Sequence, residues 1–320
     1  MKAVTYEEYG PPEVLQLIET EAPKPKQGEV LVKIHASSLN YGDRMLVSGK
    51  PFFIGLMGFG LLKPKYSILG GDIAGTVKAV GEIVTKFKPG DEVYADIGNA
   101  GFGGYAEYVS VPEHVLTLKP SNISFEEAAA FPQAAVVALQ GLRKGEIKNG
   151  DRVLINGASG AIGIFAVQIA KAYGAEVTGV CSTNNVELVR SIGANNVIDY
   201  KKEDFTQGDS KYDLILGIVA NRPTSHYMNT LNKNGRYVAV AFNASTLIMG
   251  SMYSKDGKKA TSLSHTPKVE DLVYMRELIE SGKVKPVVDR VFPLNEIAEA
   301  MRYHESGNPQ GKVVISMEVM

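Results

Sequence analysis

The chain has 320 residues, with 34 Lys and Arg against 35 Asp and Glu and a formal net charge of -1 at pH 7. This length favours two domains, and the balanced charge argues against a basic surface for nucleic acid or an anionic membrane. The single cysteine, Cys181, excludes an intrachain disulfide and a zinc site built from several cysteines. Together with an N-terminus that lacks a secretory pattern, it predicts a reducing, cytoplasmic location.

The first part of the chain, to about residue 120, has the pattern of strands and turns. Strands are predicted at 28–37 and 75–81, and at 88–96 a strand, a tight turn at Pro89-Gly90-Asp91 and a second strand. This half is therefore predicted to be mostly β, as a barrel or a sandwich.

The apolar stretch from Phe52 to Leu62 is too short to cross a bilayer. Two interpretations remain open for it. It is either a loop packed on the body of the protein or an apolar lid over a ligand pocket, which would suit a hydrophobic ligand.

From Ser124 onward the pattern changes to helices alternating with strands. Ser124 and Glu127 form a capping-box pattern before a helical segment. Short apolar runs typical of strands follow at 153–155, 177–180, 196–198, 214–218 and 237–240. The last segments predict helix, strand, helix and strand. Such alternation predicts a parallel sheet covered by helices.

The segment Ala158-Ser159-Gly160-Ala161-Ile162-Gly163 matches the G-x-G-x-x-G pattern at all but its first glycine. It lies between a predicted strand and helix, where small residues let main-chain N–H groups approach a pyrophosphate. A tight turn without a ligand is the alternative, but the complete βαβ unit at 151–180 favours a dinucleotide. The predicted contacts are Ser159, Gly160, Ala161, Ile162 and Gly163.

The residues after the second strand, 181–185, decide which dinucleotide is predicted. An acid normally binds the ribose 2'-hydroxyl here, yet the first acid is Glu187, inside the next predicted helix. Hydroxyls and amides can bind a 2'-phosphate, so NADPH is preferred over NADH, although no basic residue occurs before Arg190. The predicted phosphate pocket is Ser182, Thr183 and Tyr200, and Ile218, Phe242 and Lys312 complete the predicted cofactor contacts.

Several motifs in this order resemble the medium-chain dehydrogenase/reductase superfamily, in its zinc-independent quinone oxidoreductase (zeta-crystallin-like) branch. The motifs are GPPEVLQL, ASSLNYGD, ILGGDIAGTVKAVGEIVTKFKPGDEV, GGYAEYV, INGASGAIG, IDY and GKVVIS. The resemblance implies an α/β protein with a doubly wound Rossmann domain and a GroES-like, mostly β domain. It places the GroES-like catalytic domain at 1–122 and 286–320 and the Rossmann domain at 123–285, and it implies a homodimer.

Zinc-dependent relatives carry metal ligands at positions where the resemblance places Asn40, Gly71-Asp72 and Gln133 in this chain. Those residues do not supply three firm ligands for a catalytic zinc. The five histidines are scattered without ligand spacing. We therefore expect no metal.

Without a metal to stabilise an alkoxide, the expected acceptors are already electrophilic: quinones and α,β-unsaturated carbonyls (enones and enals). Asn40 is the first candidate to stabilise the resulting anion, because it replaces a zinc ligand. Tyr41 is a candidate proton donor, with a buried packing role as its alternative. A turn or an inter-strand hydrogen bond is expected for Asp43.

The sequence therefore predicts an NADPH-dependent quinone or enone oxidoreductase, of type EC 1.6.5 or 1.3.1, with a small hydrophobic substrate. Two alternatives remain open. One is an NADPH-binding protein with a structural or regulatory role and little turnover, and the other is an alcohol dehydrogenase-type reductase.

Overall fold

The computed structural model describes residues 1–51, 55–219, 221–240, 255–307 and 309–318. The chain folds into two compact units. Unit 1 comprises Met1–Gln133, Pro267–Glu280 and Pro286–Met320, and unit 2 comprises Ala134–Thr266 and Ser281–Lys285. Each helix within the described ranges is too short or too polar to span a membrane.

Unit 1 is built on a mixed seven-stranded sheet beside a separate two-stranded one. Its strands are β1 (Lys2–Thr5), β2 (Gln16–Glu19), β3 (Glu29–Ser38), β4 (Asp72–Val80), β5 (Glu92–Asp96), β6 (Tyr108–Pro112), β7 (Thr117–Leu118), β14 (Val288–Pro293) and β15 (Lys312–Ser316). Its helices are α1 (Tyr41–Ser48), α2 (Phe125–Ala129), α7 (Val269–Glu280) and α8 (Ile297–Glu305). The larger sheet has the order β14-β15-β3-β4-β5-β7, and β6 also pairs with β3.

Strand β3 organises unit 1, because it pairs with β15, β4 and β6. Its side chains alternate toward the core, where Val30, Val32 and Ile34 are buried. At its end the register sets Ser38 opposite Asp72. The end of β3, the start of β4 and the first strand residue of β15 therefore bring their polar side chains together.

Unit 2 contains a six-stranded parallel sheet with the order β10-β9-β8-β11-β12-β13. Its strands are β8 (Arg152–Asn156), β9 (Glu176–Cys181), β10 (Asn196–Asp199), β11 (Tyr212–Gly217), β12 (Leu231–Ala239) and β13 (Lys259–Ser262). The described helices of this part of the chain are α3 (Pro132–Lys144), α4 (Ala161–Ala172), α5 (Val186–Ser191) and α6 (Thr224–Asn229). This strand order is that of a Rossmann sheet, with its switch point between β8 and β11.

The structure confirms the fold class and corrects some local predictions. Ser124 accepts a hydrogen bond from the Glu127 N–H at 3.2 Å and completes the predicted capping box. The helix that it begins ends at Ala129, and a second helix begins at Pro132. At the predicted turn, Gly90 has φ +95°. Of the two strands predicted on either side of this turn, only the second one, β5, forms. Strand β13 was missed because it has only four residues, of which three are polar.

We expect Gly75→Ala to destabilise unit 1, because a Cβ at this position would lie 2.1 Å from the Lys33 carbonyl oxygen of β3. Backbone atoms cannot move aside as a flexible side chain can, so a loss of about 1–3 kcal/mol is expected. Thermal unfolding followed by circular dichroism measures it. Gly208→Ala is the control, since a Cβ there meets nothing within 4 Å. Equal melting temperatures for the two variants would contradict this packing.

Candidate functional site

A buried polar cluster lies where β3 ends in unit 1. We call Ser38, Asn40, Asp72 and Lys312 the Asp72 cluster. Asp72 is fully buried, and Lys312 and Asn40 are 2% and 8% exposed. The Asn40 Nδ2 donates to Asp72 Oδ2 at 2.9 Å, and Ser38 Oγ donates to the same oxygen at 3.1 Å. The buried carboxylate therefore has the donors that its burial requires.

Lys312 supplies the positive charge of this cluster. Its Nζ donates to Asn40 Oδ1 at 2.6 Å and lies 3.3 Å from Asp72 Oδ2. On the other side of the carboxylate, the Gln133 N–H donates to Asp72 Oδ1 at 2.9 Å. The resemblance aligns Asn40, Asp72 and Gln133 with zinc ligands. In the structure, the Asn40 side chain and the Gln133 main chain both donate to the buried Asp72 carboxylate, so the three positions lie together.

Asp43 caps the helix that follows Asn40. Its Oδ2 accepts the Asn40 N–H at 2.8 Å at the start of α1. Burial raises the pKa of Asp43 to about 6, while hydrogen bonding from Asn40 lowers it and the charge of Asp72 raises it. Tyr105 is fully buried nearby, and burial and the Asp43 charge raise the pKa of its hydroxyl. The expected turn role of Asp43 takes the form of a helix cap at the start of α1, and this hydrogen bond does not join two strands.

Tyr41 does not have the buried packing role that was its alternative interpretation. It is 61% exposed, and the Arg44 guanidinium carbon lies 4.9 Å from its ring centroid. The packing interpretation was wrong because Tyr41 is the first residue of α1, where the side chain projects away from the core. Its role as a proton donor stays a prediction.

Asp96 is another buried carboxyl group of unit 1, at the end of β5. Its Oδ1 accepts the Gly98 N–H at 3.0 Å, whereas its Oδ2 has no hydrogen-bond partner among the described residues. Burial raises the pKa of Asp96 to about 7, and the neighbouring charge of Asp72 contributes to this increase. No sequence pattern indicated this group, because only the sheet places it near Asp72.

In unit 2, the glycine turn after β8 leaves main-chain atoms open. Gly157 has φ +96°, and a Cβ at Gly163 would lie 2.1 Å from the Gly157 carbonyl oxygen. The third glycine is therefore required for the helix to pack on the turn. Gly160 precedes α4 with no side-chain cap, and a Cβ there would meet only the Gly157 oxygen, at 3.7 Å. This uncapped, open helix start suits a pyrophosphate.

The predicted adenosine-side residues lie at the ends of β9 and β10. Asn185 Nδ2 lies 3.1 Å from Ser159 Oγ and 3.3 Å from Ser182 Oγ, which ties the glycine turn to the segment after β9. The Thr183 side chain hydrogen-bonds Asp199. Tyr200 is 54% exposed. The structure thus places Ser182 near the turn, and the phosphate pocket stays a prediction.

The remaining predicted cofactor contacts fall in three places. The Ile218 N–H donates to the Asn156 carbonyl oxygen at 3.1 Å, beside the switch point of the sheet. Phe242 lies outside the described residues. Lys312 lies in the Asp72 cluster of unit 1.

Cys181 is buried, and burial raises the pKa of its thiol to about 11, as expected of a small packing residue.

The apolar stretch that was interpreted as a lid or a packed loop is only partly described. Phe52 and Phe53 lie outside the described residues. Phe59 contacts the rings of Tyr66 and Phe102, with ring centroids 6.3 and 6.5 Å from its own.

Within the described ranges, no group of three or more His, Cys, Asp and Glu could hold a metal ion.

The sequence interpretation missed the role of Asp72, because this residue was considered only as a poor zinc ligand. A Gly-Gly-Asp segment directly before an apolar strand, together with the only Lys of the last strand, is the signal that could have indicated a buried ion pair.

Comparison with known proteins finds consistent matches over the whole chain. Residues 26–121 match the alcohol dehydrogenase GroES-like domain, and residues 192–315 match the zinc-binding dehydrogenase family. The chain is 34% identical to the chloroplastic quinone-oxidoreductase QR1 of Triphysaria versicolor, covering 98% of both chains. It is 35% identical to the chloroplastic NADPH-dependent alkenal/one oxidoreductase of Arabidopsis thaliana, covering 98% of this chain and 79% of the relative. The solved quinone oxidoreductase from Coxiella burnetii superposes with a TM-score of 0.89 at 30% identity, over 99% of both chains.

The names of these relatives contradict the predicted cytoplasmic location, so this prediction is wrong. The Triphysaria and Arabidopsis proteins are both chloroplastic by name. The cysteine count misled because it reports only on a reducing environment, and such an environment is not confined to the cytosol.

We expect Gly160→Val to weaken NADPH binding at least about tenfold without unfolding unit 2, because its side chain would fill open space at the helix start. The fluorescence of NADPH itself measures binding, since the chain has no Trp. Gly163→Val is the comparison variant, and it should instead lower the melting temperature. Unchanged NADPH binding by a folded Gly160→Val protein would contradict the cofactor assignment.

The raised pKa of Asp96 predicts a pH-dependent stability. The pKa of about 7 lies above the ordinary value of 3.8, so protonation of the Asp96 carboxyl stabilises the folded state relative to the unfolded state. This contribution is complete below about pH 4 and is lost as the pH rises through about 7. Asp96→Asn should remove this dependence, so that the melting temperature of the variant rises relative to wild type between about pH 5 and about pH 8. A constant difference across this range would contradict the assignment.

Proposed function

Because this chain belongs to the medium-chain dehydrogenase/reductase superfamily, in its quinone oxidoreductase branch, we propose that it is an NADPH-dependent reductase of quinones and α,β-unsaturated carbonyls. The observation that carries the proposal is the open turn before α4. Main-chain N–H groups at an uncapped helix start suit a pyrophosphate, and the Rossmann strand order supports the same ligand.

The open space at Gly160 supports a dinucleotide at the glycine turn. Gly160 leaves open space where the phosphates would lie, and Ser159, Ala161 and Ile162 would offer main-chain and hydroxyl groups around them. The nicotinamide, when bound, supplies a hydride for the reduction. Residues Ser182, Thr183 and Tyr200 would bind the adenosine phosphate.

The preference for NADPH over NADH rests on Ser182 and Thr183, which replace the acid that binds a ribose 2'-hydroxyl. The name of the Arabidopsis relative supports the same cofactor. EC class 1.6.5 or 1.3.1 would follow from the acceptor. A homodimer through the edge of the parallel sheet completes the proposal.

Asn40 would stabilise the anion that forms when the acceptor gains a hydride. Reduction of a quinone or an enone leaves negative charge on oxygen, and an amide N–H can donate to it. Asn40 is 8% exposed and is held by buried partners, so it would donate without first reorganising. The proton that completes the product would come from water, with Tyr41 as the candidate side-chain donor. Electrophilic acceptors of this kind need no metal for the step.

We expect steady NADPH oxidation with a panel of quinones, enones and enals. Asn40→Ala should lower kcat by about 10²-fold while the NADPH dissociation constant stays within about twofold, because only the stabilised anion loses its donor. Asn196→Ala is the control, since this exposed side chain contacts Glu176 on the neighbouring strand.

Three outcomes would contradict the proposal or its mechanism. Tight NADPH binding without turnover of any acceptor would support the structural or regulatory alternative. Oxidation of simple alcohols by protein with stoichiometric bound metal would support the alcohol dehydrogenase alternative. Unchanged turnover in Asn40→Ala would remove this residue from the mechanism.

A further inference from the structure

We propose that Lys312 and Asp72 are positioning residues that fix the Asn40 amide and present one of its N–H groups to the acceptor oxygen. This inference rests on the proposed function, in which Asn40 stabilises the anion formed on the acceptor. It assigns to Lys312 a role other than the predicted contact with the cofactor.

The chemistry of its partners determines the orientation of the Asn40 amide. The Lys312 ammonium can only donate, so the atom 2.6 Å from it must be the carbonyl oxygen, Oδ1. The Asp72 carboxylate can only accept, so the atom 2.9 Å from its Oδ2 must be Nδ2. In a flipped amide, the NH2 group would face the Lys312 ammonium, which is also a donor, and the oxygen would face the Asp72 carboxylate, which is also an acceptor. Two buried charges therefore lock the side chain in one orientation.

A count of the hydrogens shows what this orientation leaves available. The Asn40 Nδ2 carries two hydrogens, and the bond to Asp72 uses one. Within the described part of the chain nothing accepts the second N–H, which can donate in a direction fixed by the plane of the locked amide. An asparagine with mobile partners would lose this alignment through rotation about its side-chain bonds.

Asp72 is itself held in place. Its Oδ2 receives Ser38, Asn40 and Lys312, and its Oδ1 receives the Gln133 N–H at 2.9 Å. Lys312 is the first residue of β15, and its own N–H donates to the Val287 carbonyl oxygen at 2.8 Å. The partners of the amide are therefore fixed by strands rather than by mobile loops, as a pre-organised site requires.

The Lys312 charge would also strengthen the free N–H. An ammonium against the amide oxygen withdraws electron density from the amide, which makes its N–H a better donor to an anion. Burial at 2% exposure leaves this charge poorly screened by water. Burial lowers the pKa of nearby His304 to about 4, with the Lys312 charge as a further cause, so this ring is neutral at pH 7. Lys312 forms an ion pair with Asp72, and its positive charge lowers the pKa of the Asp43 and Asp96 carboxyls.

A double-mutant cycle between Lys312 and Asn40 tests the inference. Lys312→Met should lower kcat at least about tenfold with a quinone acceptor, and leave the NADPH dissociation constant within about twofold. In the Asn40→Ala background, the same change should alter kcat by less than about twofold, because the amide that Lys312 positions is gone.

Lys119→Met is the matched control for the loss of a buried ammonium. Lys119 is 5% exposed in its side chain, lies 3.2 Å from Glu92 and donates to two carbonyl oxygens, and none of these partners belongs to the Asp72 cluster. It should lower the melting temperature but leave kcat unchanged. An equal loss of kcat from Lys312→Met in both backgrounds would overturn the inference. So would a large rise in the NADPH dissociation constant, about tenfold or more, which would return Lys312 to the cofactor site.

A measurement on the wild-type protein keeps the inference testable if Lys312→Met does not fold. With ¹⁵N-labelled asparagine, one of the two Asn40 side-chain protons should be shifted downfield by its bond to Asp72 and protected from exchange with water, whereas the other should not. The Asn40→Ala spectrum assigns them. Two Asn40 protons that both show the shifts and the rapid water exchange of an exposed asparagine amide would indicate a mobile side chain and overturn the inference. Because this readout needs no acceptor, a failure of the proposed function would leave wild-type turnover absent but these resonances unchanged.

Discussion

Burial of the Asp72 carboxylate is the constraint on which the site of unit 1 depends. A carboxylate without access to water needs donors on both oxygens and a compensating charge. Ser38, Asn40, Lys312 and the Gln133 N–H supply the donors, and Lys312 supplies the charge. The sheet brings these groups together because the end of β3 lies opposite the start of β4. Removing Lys312 would leave the buried carboxylate without its compensating charge.

The two units would use different chemistry for their proposed ligands. In unit 2 the proposed binding groups are main-chain N–H groups, which require only that Gly160 and Gly163 carry no side chain. In unit 1 the proposed binding group is one side-chain amide, which requires partners that orient it. Small residues at a turn are visible in a sequence pattern, whereas an oriented amide depends on three separate segments.

Much of the fold could be predicted because its patterns are local. The capping box at Ser124, the apolar runs of β8 to β11 and the small residues before α4 each act within a few positions of the chain. The errors also have local causes. β13 has too few apolar residues to mark it, and the helix after Ser124 ends early because Pro132 cannot continue it and begins the next one.

The sequence by itself determined the parallel sheet, the glycine turn and the position of Asn40 as a candidate, because periodicity, small residues and position in a motif are properties of neighbours along the chain. It did not determine the partners of Asn40. Asp72 is 32 positions away and Lys312 is 272 positions away, and only the pairing of β15, β3 and β4 brings them within hydrogen-bond distance. The exposure of Tyr41 and the raised pKa of Asp96 were decided in the same way, since burial and neighbouring charge are properties of the folded chain.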